Sequence, residues 1–344
     1  MRAALSIGRP LRCASLLLAA LAGLHAQAAP PRAASAVEKG DPAAWVERIH
    51  QAAQQRSYAG TLVFTAADIV SSSRVLRLGV GDQIYERIEA LDGRQQRSFR
   101  HNDQVHTIWP ASRVVTVERR SAVDETVGLP QLDPRLQTHY EIRLLGREKI
   151  AGREAVVLLL QPRDELRFAQ RLWADRETGL LLRADVLSAQ GQVLESSAFS
   201  NVEVDVRPTR EQTLNPARRL EGFRTVTLNA EATSLDAEGW SAERLPAGFR
   251  LLGCVQRVMG DPVAESAARL PRAMQAVFSD GLARVSVFVE AAEPNRSRQP
   301  LMTHLGATHT LMKPRDNRWW ITVMGDVPLP TLRAFSDALV RSKP

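Results

Sequence analysis

The spacing of apolar residues predicts an amphipathic helix that begins near Asp41. Asp41 is a favourable N-cap residue, and Pro42 suits the first helical position, where its missing N–H breaks no hydrogen bond. The apolar residues that follow recur every three or four positions: Trp45, Val46, Ile49, Ala52 and Ala53. A helix with this stripe buries one face and leaves its charged face in water.

After Gly60 the apolar residues alternate with polar ones, which predicts β-strands. Further strands, bounded by turn residues, are predicted at residues 112–118, 140–145, 155–161, 170–174, 180–187 and 193–204. Because a large antiparallel meander must curl, we predict a mainly β domain at 38–207 in the form of an open barrel or concave sheet. The first helix or the loop at 120–138 would lie in its concavity.

A polar, arginine-rich stretch at residues 208–222 is typical of an exposed linker between two domains. The pattern beyond it is mixed. Strands are predicted at 225–229, 283–290, 308–312 and 318–324, and helices at 264–278 and from about Pro330 onward. Residues 223–344 are therefore predicted to form a smaller α+β domain.

The N-terminus has the order of a secretory signal peptide. Arg2, Arg9 and Arg12 precede an apolar stretch at 14–24, and the small-residue site Ala26-Gln27-Ala28 follows, so cleavage is predicted after residue 28. Of the two cysteines, Cys13 leaves with this segment and Cys254 remains. One cysteine cannot form an intrachain disulfide, so we predict a buried, unreactive Cys254 and stability from the apolar cores alone.

Positive charge is concentrated in the second half of the chain. The formal net charge is +7, or +7 − 3 = +4 once the three signal-peptide arginines are removed. Residues 208–344 hold 18 basic and 14 acidic residues, which is the whole of that +4. This part lacks zinc-ligand spacing and a basic helix face, and the chain is predicted to be exported, so nucleic acid is disfavoured. Acidic protein segments or lipid phosphates fit better.

A search for catalytic or metal-binding patterns finds none that is complete. The chain has no H-E-x-x-H, G-x-S-x-G or glycine-rich phosphate loop. His101 and His106, like His304 and His309, are five residues apart, but no neighbouring acids or thiols complete a metal site. The adjacent carboxylates Asp164–Glu165 are interpreted as solvated loop charges. Neither a catalytic site nor a metal site is predicted.

The interior of the predicted sheet has two open interpretations. Side chains can fill it, or it can leave a cavity for an acyl chain. Trp109 and Trp173 are core aromatics in the first case and line the lipid cavity in the second. Periodicity alone does not separate the two.

Six distinctive segments follow one another from residue 41 to near the C-terminus: DPAAWVERIH (41–50), YAGTLVF (58–64), ERIEALDG (86–93), LPAGF (245–249), VFSDGLARVSVFVE (277–290) and ITVMGDVP (321–328). In this order they resemble the RseB/MucB family. The resemblance implies a first domain similar to the lipoprotein carriers LolA and LolB, an unclosed antiparallel barrel with helices, followed by a smaller C-terminal domain.

The resemblance also implies a function. Members of the family are non-enzymatic periplasmic negative regulators of the envelope-stress sigma factor. They bind the periplasmic part of a transmembrane anti-sigma factor of the RseA/MucA type and shield it from proteolysis, and lipopolysaccharide or a related lipid releases it. No cofactor is implied, and self-association is left open.

For this chain we predict that Arg218, Arg219 and Arg224, clustered at the domain junction, contact the partner or lipid phosphates. The alternative for these arginines is that they only solubilise the linker. The alternative function is a periplasmic lipid or lipoprotein carrier, which would use the same concave domain. An envelope hydrolase is the enzymatic alternative.

Overall fold

The structure is a computed structural model that describes residues 40–93, 95–119, 132–213, 220–228, 230–261, 263, 271–292 and 299–342. The predicted signal peptide, Arg218 and Arg219 lie outside these residues, as does most of the predicted loop at 120–138. Within the described part of the chain, no helix has both the length and the apolar character needed to cross a bilayer.

Helix α1, Pro42–Gln55, confirms the first predicted helix and its start. The Asp41 side chain caps it by accepting a 2.9 Å hydrogen bond from the Ala43 amide. Trp45, Val46 and Ile49 are buried on the face that the spacing indicated.

Twelve strands form the first sheet, and together with α1 they make up what we call the first lobe. The strands are β1 Tyr58–Ala66, β2 Ile69–Val80, β3 Gln83–Ala90, β4 Arg97–His101, β5 Gln104–Trp109, β6 Val114–Arg119, β7 Tyr140–Ile150, β8 Arg153–Pro162, β9 Ala169–Asp175, β10 Leu181–Leu187, β11 Val193–Val204 and β12 Arg224–Leu228. Their order in the sheet is β12-β6-β5-β4-β3-β2-β1-β11-β10-β9-β8-β7. The sheet has two edges and does not close, so the predicted open meander is confirmed.

Strand β12 is the exception to the antiparallel pattern. After the four-residue helix α2, Arg210–Thr213, the chain returns to the first sheet and pairs with β6 in parallel, with Arg224 opposite Val114. The sequence predicted this strand but assigned it to the second domain. The strand lies in the first sheet because it pairs with β6. Local periodicity does not reveal this placement, since the two strands are more than 100 residues apart.

The second lobe contains a seven-stranded sheet, a two-stranded sheet and a helix. Its strands are β13 Glu231–Thr233, β14 Trp240–Ala242, β15 Arg250–Val258, β16 Arg272–Ser279, β17 Arg284–Ala291, β18 Leu301–Leu305, β19 Thr308–Arg315, β20 Trp319–Gly325 and β21 Leu339–Arg341, and its helix is α3 Leu329–Ala338. The larger sheet has the order β13-β15-β16-β17-β20-β19-β18, and β14 pairs with β21. A smaller second domain with strands and a final helix is thereby confirmed.

One predicted element is wrong. A helix was expected over 264–278, but the part of this range that the structure describes is largely strand β16. Alanine, methionine and glutamine favour a helix by propensity, yet seven of the eight residues of β16 are buried in the sheet. Strand pairing on both sides overrides the local preference.

The two lobes share part of their core. The cluster under α1 contains residues of β7 to β10, and it also includes Leu282 from the β16–β17 turn of the second lobe. Leu282 packs in the same cluster as Leu132 and Leu136 of the first lobe and is 7% exposed. This insertion ties the lobes together by apolar burial.

Candidate functional site

Strand register places alternating charged and apolar side chains on one face of β2 to β5. Arg74 lies opposite Glu89, which lies opposite Arg97, which lies opposite Ile108. One row further along, Leu76, Arg87 and Phe99 are aligned in the same way. Residues two apart on a strand share a face, so the two rows form one continuous surface.

This surface encloses a cavity of about 410 Å³, within the size range of small-molecule sites. Its lining residues come from four consecutive strands: Arg74, Leu76, Arg87, Ile88, Glu89, Arg97, Ser98, Phe99 and Ile108. We call it the arginine-rimmed cavity. The cavity depends on strand register, because its lining is assembled from four strands.

The cavity has an apolar floor and a charged rim. Phe99 and Ile108 are 1% and 4% exposed. Glu89 accepts hydrogen bonds from Arg74 at 3.2 Å and from Arg97 at 3.0 Å, and both guanidinium groups remain about two-thirds exposed. The lining holds three arginines and one carboxylate, a formal charge of 3 − 1 = +2.

Arg87 connects the rim to the floor. Its guanidinium lies 5.5 Å from the centre of the Phe99 ring and donates a 2.7 Å hydrogen bond to the Glu211 carbonyl of α2. Burial lowers the pKa of Arg87, and the nearby Glu211 carboxylate acts in the opposite direction. A partly desolvated guanidinium above an aromatic ring is suited to an anionic group attached to an apolar body.

The chemistry of the cavity matches an anionic amphiphile. An acyl chain can cover the apolar floor, while a phosphate or carboxylate can replace Glu89 as the partner of Arg74 and Arg97. Nothing in the lining is arranged as a nucleophile with a base, since Ser98 is the single hydroxyl and no histidine lines the cavity. The arrangement can bind, and it has no group placed for bond cleavage.

A second charged cluster lies where the lobes meet, centred on Asp280 in the β16–β17 turn. One carboxylate oxygen of Asp280 accepts hydrogen bonds from the amides of Leu282 and Ala283, at 3.0 and 2.8 Å. The other oxygen accepts from the Tyr140 hydroxyl at 3.0 Å and from the Arg167 guanidinium. The side chains of Arg167 and Asp280 are completely buried. We call this set the interlobe cluster.

Each of the three guanidinium nitrogens of Arg167 donates a hydrogen bond. It donates to Asp280, to the Asp164 carboxylate and to the Ala247 carbonyl, and it lies 4.9 Å from the centre of the Phe249 ring. Burial acts to lower the pKa of Arg167, but its bonds with the two carboxylates raise it overall, so the guanidinium stays charged. Asp164, interpreted from sequence as a solvated loop charge, is in fact a partner of this buried arginine.

Tyr140 is held neutral by the same surroundings. Burial, followed by the charge of Asp280, raises its pKa well above the ordinary value. A neutral hydroxyl can donate to Asp280, whereas a phenolate would repel it. The guanidinium of Arg167 is therefore balanced by the carboxylates of Asp280 and Asp164, and the neutral Tyr140 hydroxyl donates to Asp280.

Further polar contacts join the lobes around this cluster. The Asp133 amide donates to the Gly281 carbonyl at 2.9 Å, and the Asp133 carboxylate accepts from Arg250 at 3.1 Å. Thr331, at the start of α3, donates to the Leu166 carbonyl at 2.7 Å. These bonds surround Leu282 and the interlobe cluster, so the contact combines apolar burial with directional bonds.

The two tryptophans singled out from the sequence lie elsewhere. Trp173 is 2% exposed, packs in the core cluster with Leu182 and Phe199, and donates to Glu148 at 2.9 Å. Trp109 is half-buried at the end of β5, opposite Val114. Neither lines the arginine-rimmed cavity. Their role in a lipid cavity stays a prediction.

Of the three junction arginines, the structure describes Arg224. Its amide donates to the Arg113 carbonyl at 2.8 Å, and its guanidinium donates to the Val263 carbonyl at 3.0 Å. Arg224 thus links the first sheet to a residue that follows β15. Partner or phosphate binding by Arg218, Arg219 and Arg224 stays a prediction.

The histidine pairs have ordinary surroundings. His101 stacks on Tyr85 with ring centres 4.5 Å apart and hydrogen-bonds Gln83, while His304 and His309 face each other across β18 and β19. Among the described residues, no group of three or more histidines, cysteines or carboxylates is placed to hold a metal ion. Cys254 is buried, and burial raises the pKa of its thiol to about 11.

Comparison with known proteins identifies the family. The model of the MucB/RseB N-terminal domain matches residues 41–218, and the model of the MucB/RseB C-terminal domain matches residues 234–340. The chain belongs to the MucB/RseB family. The predicted resemblance is thereby confirmed over both lobes.

Curated members of the family are named as regulatory proteins. The chain is 30% identical over 307 residues to the sigma factor AlgU regulatory protein MucB of Pseudomonas aeruginosa, covering 87% of this chain and 90% of that protein. It is 26% identical over 298 residues to the sigma-E factor regulatory protein RseB of Escherichia coli K12, covering 86% and 89%.

Solved MucB structures have the same fold. A crystal structure of MucB in complex with MucA(peri) matches with a TM-score of 0.66 and 27% identity, over 88% of this chain and all of that one. A Pseudomonas aeruginosa MucA/MucB complex matches with a TM-score of 0.68 and 26% identity, over 89% of this chain. Relatives of this MucB/RseB chain are therefore solved with a bound partner.

Proposed function

We propose that this chain is a non-enzymatic periplasmic negative regulator of an extracytoplasmic-stress sigma factor. It binds the periplasmic region of a transmembrane anti-sigma factor, shields that region from regulated proteolysis and releases it when a lipid binds. The match of both family models along the two lobes carries the proposal. The solved complexes of MucB with MucA support the choice of partner.

The arginine-rimmed cavity supports the lipid part of the proposal. Its apolar floor and net positive rim fit the acyl chain and phosphate of a lipopolysaccharide fragment. A ligand that binds the free protein more tightly than the complex lowers the affinity for the partner by the same factor. A tenfold difference between the two ligand affinities corresponds to about 1.4 kcal/mol of coupling. Release then needs no catalytic step.

The first experiment is calorimetric titration of residues 29–344 with the periplasmic segment of the anti-sigma factor from the same organism, repeated with lipopolysaccharide fragments. We expect sub-micromolar binding that the lipid weakens. Absence of binding at low salt, with lipid uptake intact, would overturn the regulator and favour a lipid or lipoprotein carrier.

Shielding is tested separately by limited proteolysis of the same anti-sigma segment. We expect saturating amounts of this chain to slow its cleavage by the site-specific protease, because the complex occludes the cleaved bond. An unchanged cleavage rate at saturation removes shielding from the proposal while leaving binding intact.

The cavity is tested with the double variant Arg74→Ala/Arg97→Ala. We expect it to bind lipopolysaccharide fragments at least tenfold more weakly, because two charge-assisted contacts are lost. Arg119→Ala is the matched control, since Arg119 is 86% exposed and does not line the cavity. Equal affinity of the double variant and the control would place the lipid elsewhere.

We also propose that Arg218, Arg219 and Arg224 contact acidic partner residues or lipid phosphates. Their position in the basic half of the chain supports this. Reversing all three charges is expected to weaken partner or lipid binding and to reduce its dependence on salt. Unchanged binding with unchanged salt dependence would restrict them to solubilising the linker.

A further inference from the structure

The connection between β11 and β12 has to cross most of the first sheet. Six strands, β1 to β6, lie between these two in the sheet order, and the connection runs from Val204 to Arg224. Helix α2, Arg210–Thr213, belongs to this connection. The point at which α2 contacts the sheet therefore shows which face the connection crosses.

This contact lies on the face that carries the arginine-rimmed cavity. Arg77 of β2 points to the other face, where its guanidinium donates to the Ala53 and Gln54 carbonyls of α1 at 3.1 and 2.8 Å. Leu76, next to Arg77 on β2, lines the cavity, and neighbouring residues of a strand point to opposite faces. The cavity is thus on the face opposite α1, and α2 contacts that face through Arg87.

Arg87 serves both the cavity and α2. Its guanidinium lies above the Phe99 ring in the cavity lining and donates a 2.7 Å hydrogen bond to the Glu211 carbonyl. The Glu211 carboxylate is also close enough to raise the pKa of Arg87 against the effect of burial. Helix α2 therefore places a carbonyl oxygen and a negative charge at the guanidinium that an anionic ligand of the cavity would use.

A reciprocal cap shapes the turn that presents Glu211. The Thr209 amide donates to the Gln212 side-chain oxygen at 2.9 Å, and the Gln212 amide donates to the Thr209 hydroxyl at 3.4 Å. This is the capping-box arrangement, in which a threonine and a glutamine three residues later satisfy each other's amides. The cap holds α2 as one unit, so its contact with Arg87 forms or breaks as a whole.

An anionic group at Arg87 and the Glu211 carboxylate repel each other. The repulsion is stronger beside a partly buried guanidinium than in open water, because the local dielectric constant is lower. A hydrogen bond from a guanidinium to a phosphate is also stronger than one to a neutral carbonyl. Both effects favour exchange of α2 for the anionic group of a ligand.

We propose that α2 is an internal competitor for the arginine-rimmed cavity, so that an anionic group bound at Arg87 displaces Glu211 and releases α2 from the sheet. Release of α2 in this way rests on the proposed function, because it requires an anionic ligand in the cavity. By linkage, the factor by which the ligand weakens the α2 contact equals the factor by which α2 weakens ligand binding. The connection that leads to the second lobe thereby responds to occupancy of the cavity.

Calorimetric titration of residues 29–344 with dodecyl phosphate, below its critical micelle concentration, tests the competition. We expect Glu211→Gln to bind dodecyl phosphate about two- to fivefold more tightly than the unaltered chain, because the competing charge is gone. Glu203→Gln, at an exposed acid of β11, is the matched control and should bind like the unaltered chain. Absence of binding, equal affinities of all three proteins, or a gain that the control shares overturns the proposal.

Pulsed electron paramagnetic resonance tests the movement of α2. Spin labels are placed at Thr213→Cys, in α2, and at Gln104→Cys, which is exposed on β5, while the native Cys254 is buried. We expect one narrow distance without ligand and longer, broader distances with saturating dodecyl phosphate. Dodecyl maltoside, which has the same chain and an uncharged head, should leave the distance unchanged. An α2 that stays in place with dodecyl phosphate, or that moves equally with dodecyl maltoside, overturns the proposal.

Arg87→Ala tests the contact without any ligand. In the doubly labelled chain this variant should show the longer, broader distances from the start, because α2 has lost its hydrogen bond to the sheet. Arg119→Ala, which does not line the cavity, should keep the narrow distance. Thermal melting checks that both variants are folded. A narrow, unchanged distance in folded Arg87→Ala would show that Arg87 does not hold α2, and overturns the proposal.

These experiments contain no anti-sigma segment, so their failure is distinct from failure of the regulator function. If dodecyl phosphate moves α2 but leaves binding of the anti-sigma segment unchanged, release by this lipid analogue fails and the competition at Arg87 stands. If lipopolysaccharide fragments weaken binding of the anti-sigma segment while α2 stays in place, the regulator function stands and the competition fails.

Discussion

The arginine-rimmed cavity and the interlobe cluster use the same residue types in opposite ways. At the cavity, Arg74 and Arg97 share the Glu89 carboxylate, and both remain mostly exposed. In the interlobe cluster, one arginine is completely buried, and each of its nitrogens donates to a protein oxygen. The first arrangement has positive charge in excess, and the second has none.

This difference separates a proposed binding site from a structural contact. Exposed ion pairs contribute little to stability because water and salt screen them, so a ligand can replace Glu89 at low cost. A buried pair that is fully hydrogen-bonded cannot exchange partners without leaving an uncompensated charge. The exposure and charge balance of the arginines therefore indicate a candidate binding site more directly than their number does.

The largest expected effect is on stability, from Asp280→Ala. This variant leaves Arg167 buried without its main partner and removes the acceptor for Tyr140 and two amides, so the free energy of unfolding should fall by about 3–5 kcal/mol. Urea denaturation measures it. Glu89→Ala, which breaks the exposed pairs at the cavity, is the control and should lose no more than about 1 kcal/mol. Equal losses would contradict the comparison.

Next in size is Leu282→Ala. Removing a buried leucine from the shared core should lower the free energy of unfolding by about 2–4 kcal/mol. Leu251→Ala, at a leucine that is 40% exposed in the same lobe, should cost less than about 1 kcal/mol. If the two leucines cost the same in urea denaturation, the lobes are not joined through Leu282.

A smaller effect, on binding, is expected from Glu89→Gln. It removes the carboxylate that competes with an anionic ligand for Arg74 and Arg97, so affinity for lipopolysaccharide fragments should rise about two- to fivefold, or about 0.4–1 kcal/mol. Glu154→Gln, at a β8 residue that forms an exposed ion pair with Arg176, should leave the affinity unchanged. Weaker binding of the lipid by Glu89→Gln would show that the Glu89 carboxylate itself contacts the ligand.

The smallest expected effect is on the pH dependence of stability. The hydrogen bond from Arg135, with a further contribution from Arg250, lowers the pKa of Asp133 from 3.8 to about 2. A carboxyl with a lowered pKa stabilises the fold above its unfolded value and loses that contribution as the pH falls. Asp133→Asn should therefore melt earlier than the unaltered chain at pH 7, and the difference should vanish between about pH 4 and 2. A difference that persists at pH 2 would mean that other Asp133 contacts dominate.

Local signals were sufficient for much of the fold. The Asp41–Pro42 start fixed α1, and turn residues bounded β11 at its observed ends, Val193–Val204. Strand β7 extends to Ile150, beyond the predicted end at residue 145, because pairing with β8 continues through a charged segment that has no apolar pattern. Pairing between strands also explains why β16 is a strand rather than the predicted helix, and why β12 belongs to the first sheet.

The parts of the candidate site that the sequence did not reveal depend on contacts between distant segments. Arg167 and Asp280 are 113 residues apart, and nothing local marks them as partners. The cavity did leave a signal, since Arg74 and Leu76 on one strand and Arg97 and Phe99 on another show the same arginine-x-apolar spacing. These residues line a common cavity only because the register of β2 to β5 aligns them. The sequence analysis instead predicted cavity-lining roles for Trp109 and Trp173, which lie elsewhere.

The parallel strand β12 determines how the lobes can separate. It anchors the chain to the first sheet by five residue pairs, and only two residues lie between its end at Leu228 and the start of β13 at Glu231. If the interlobe cluster opened, this short tether would keep the second lobe at an effective concentration of about millimolar. Separation would then be unimolecular and reversible, and a ligand would have to stay bound to hold the lobes apart.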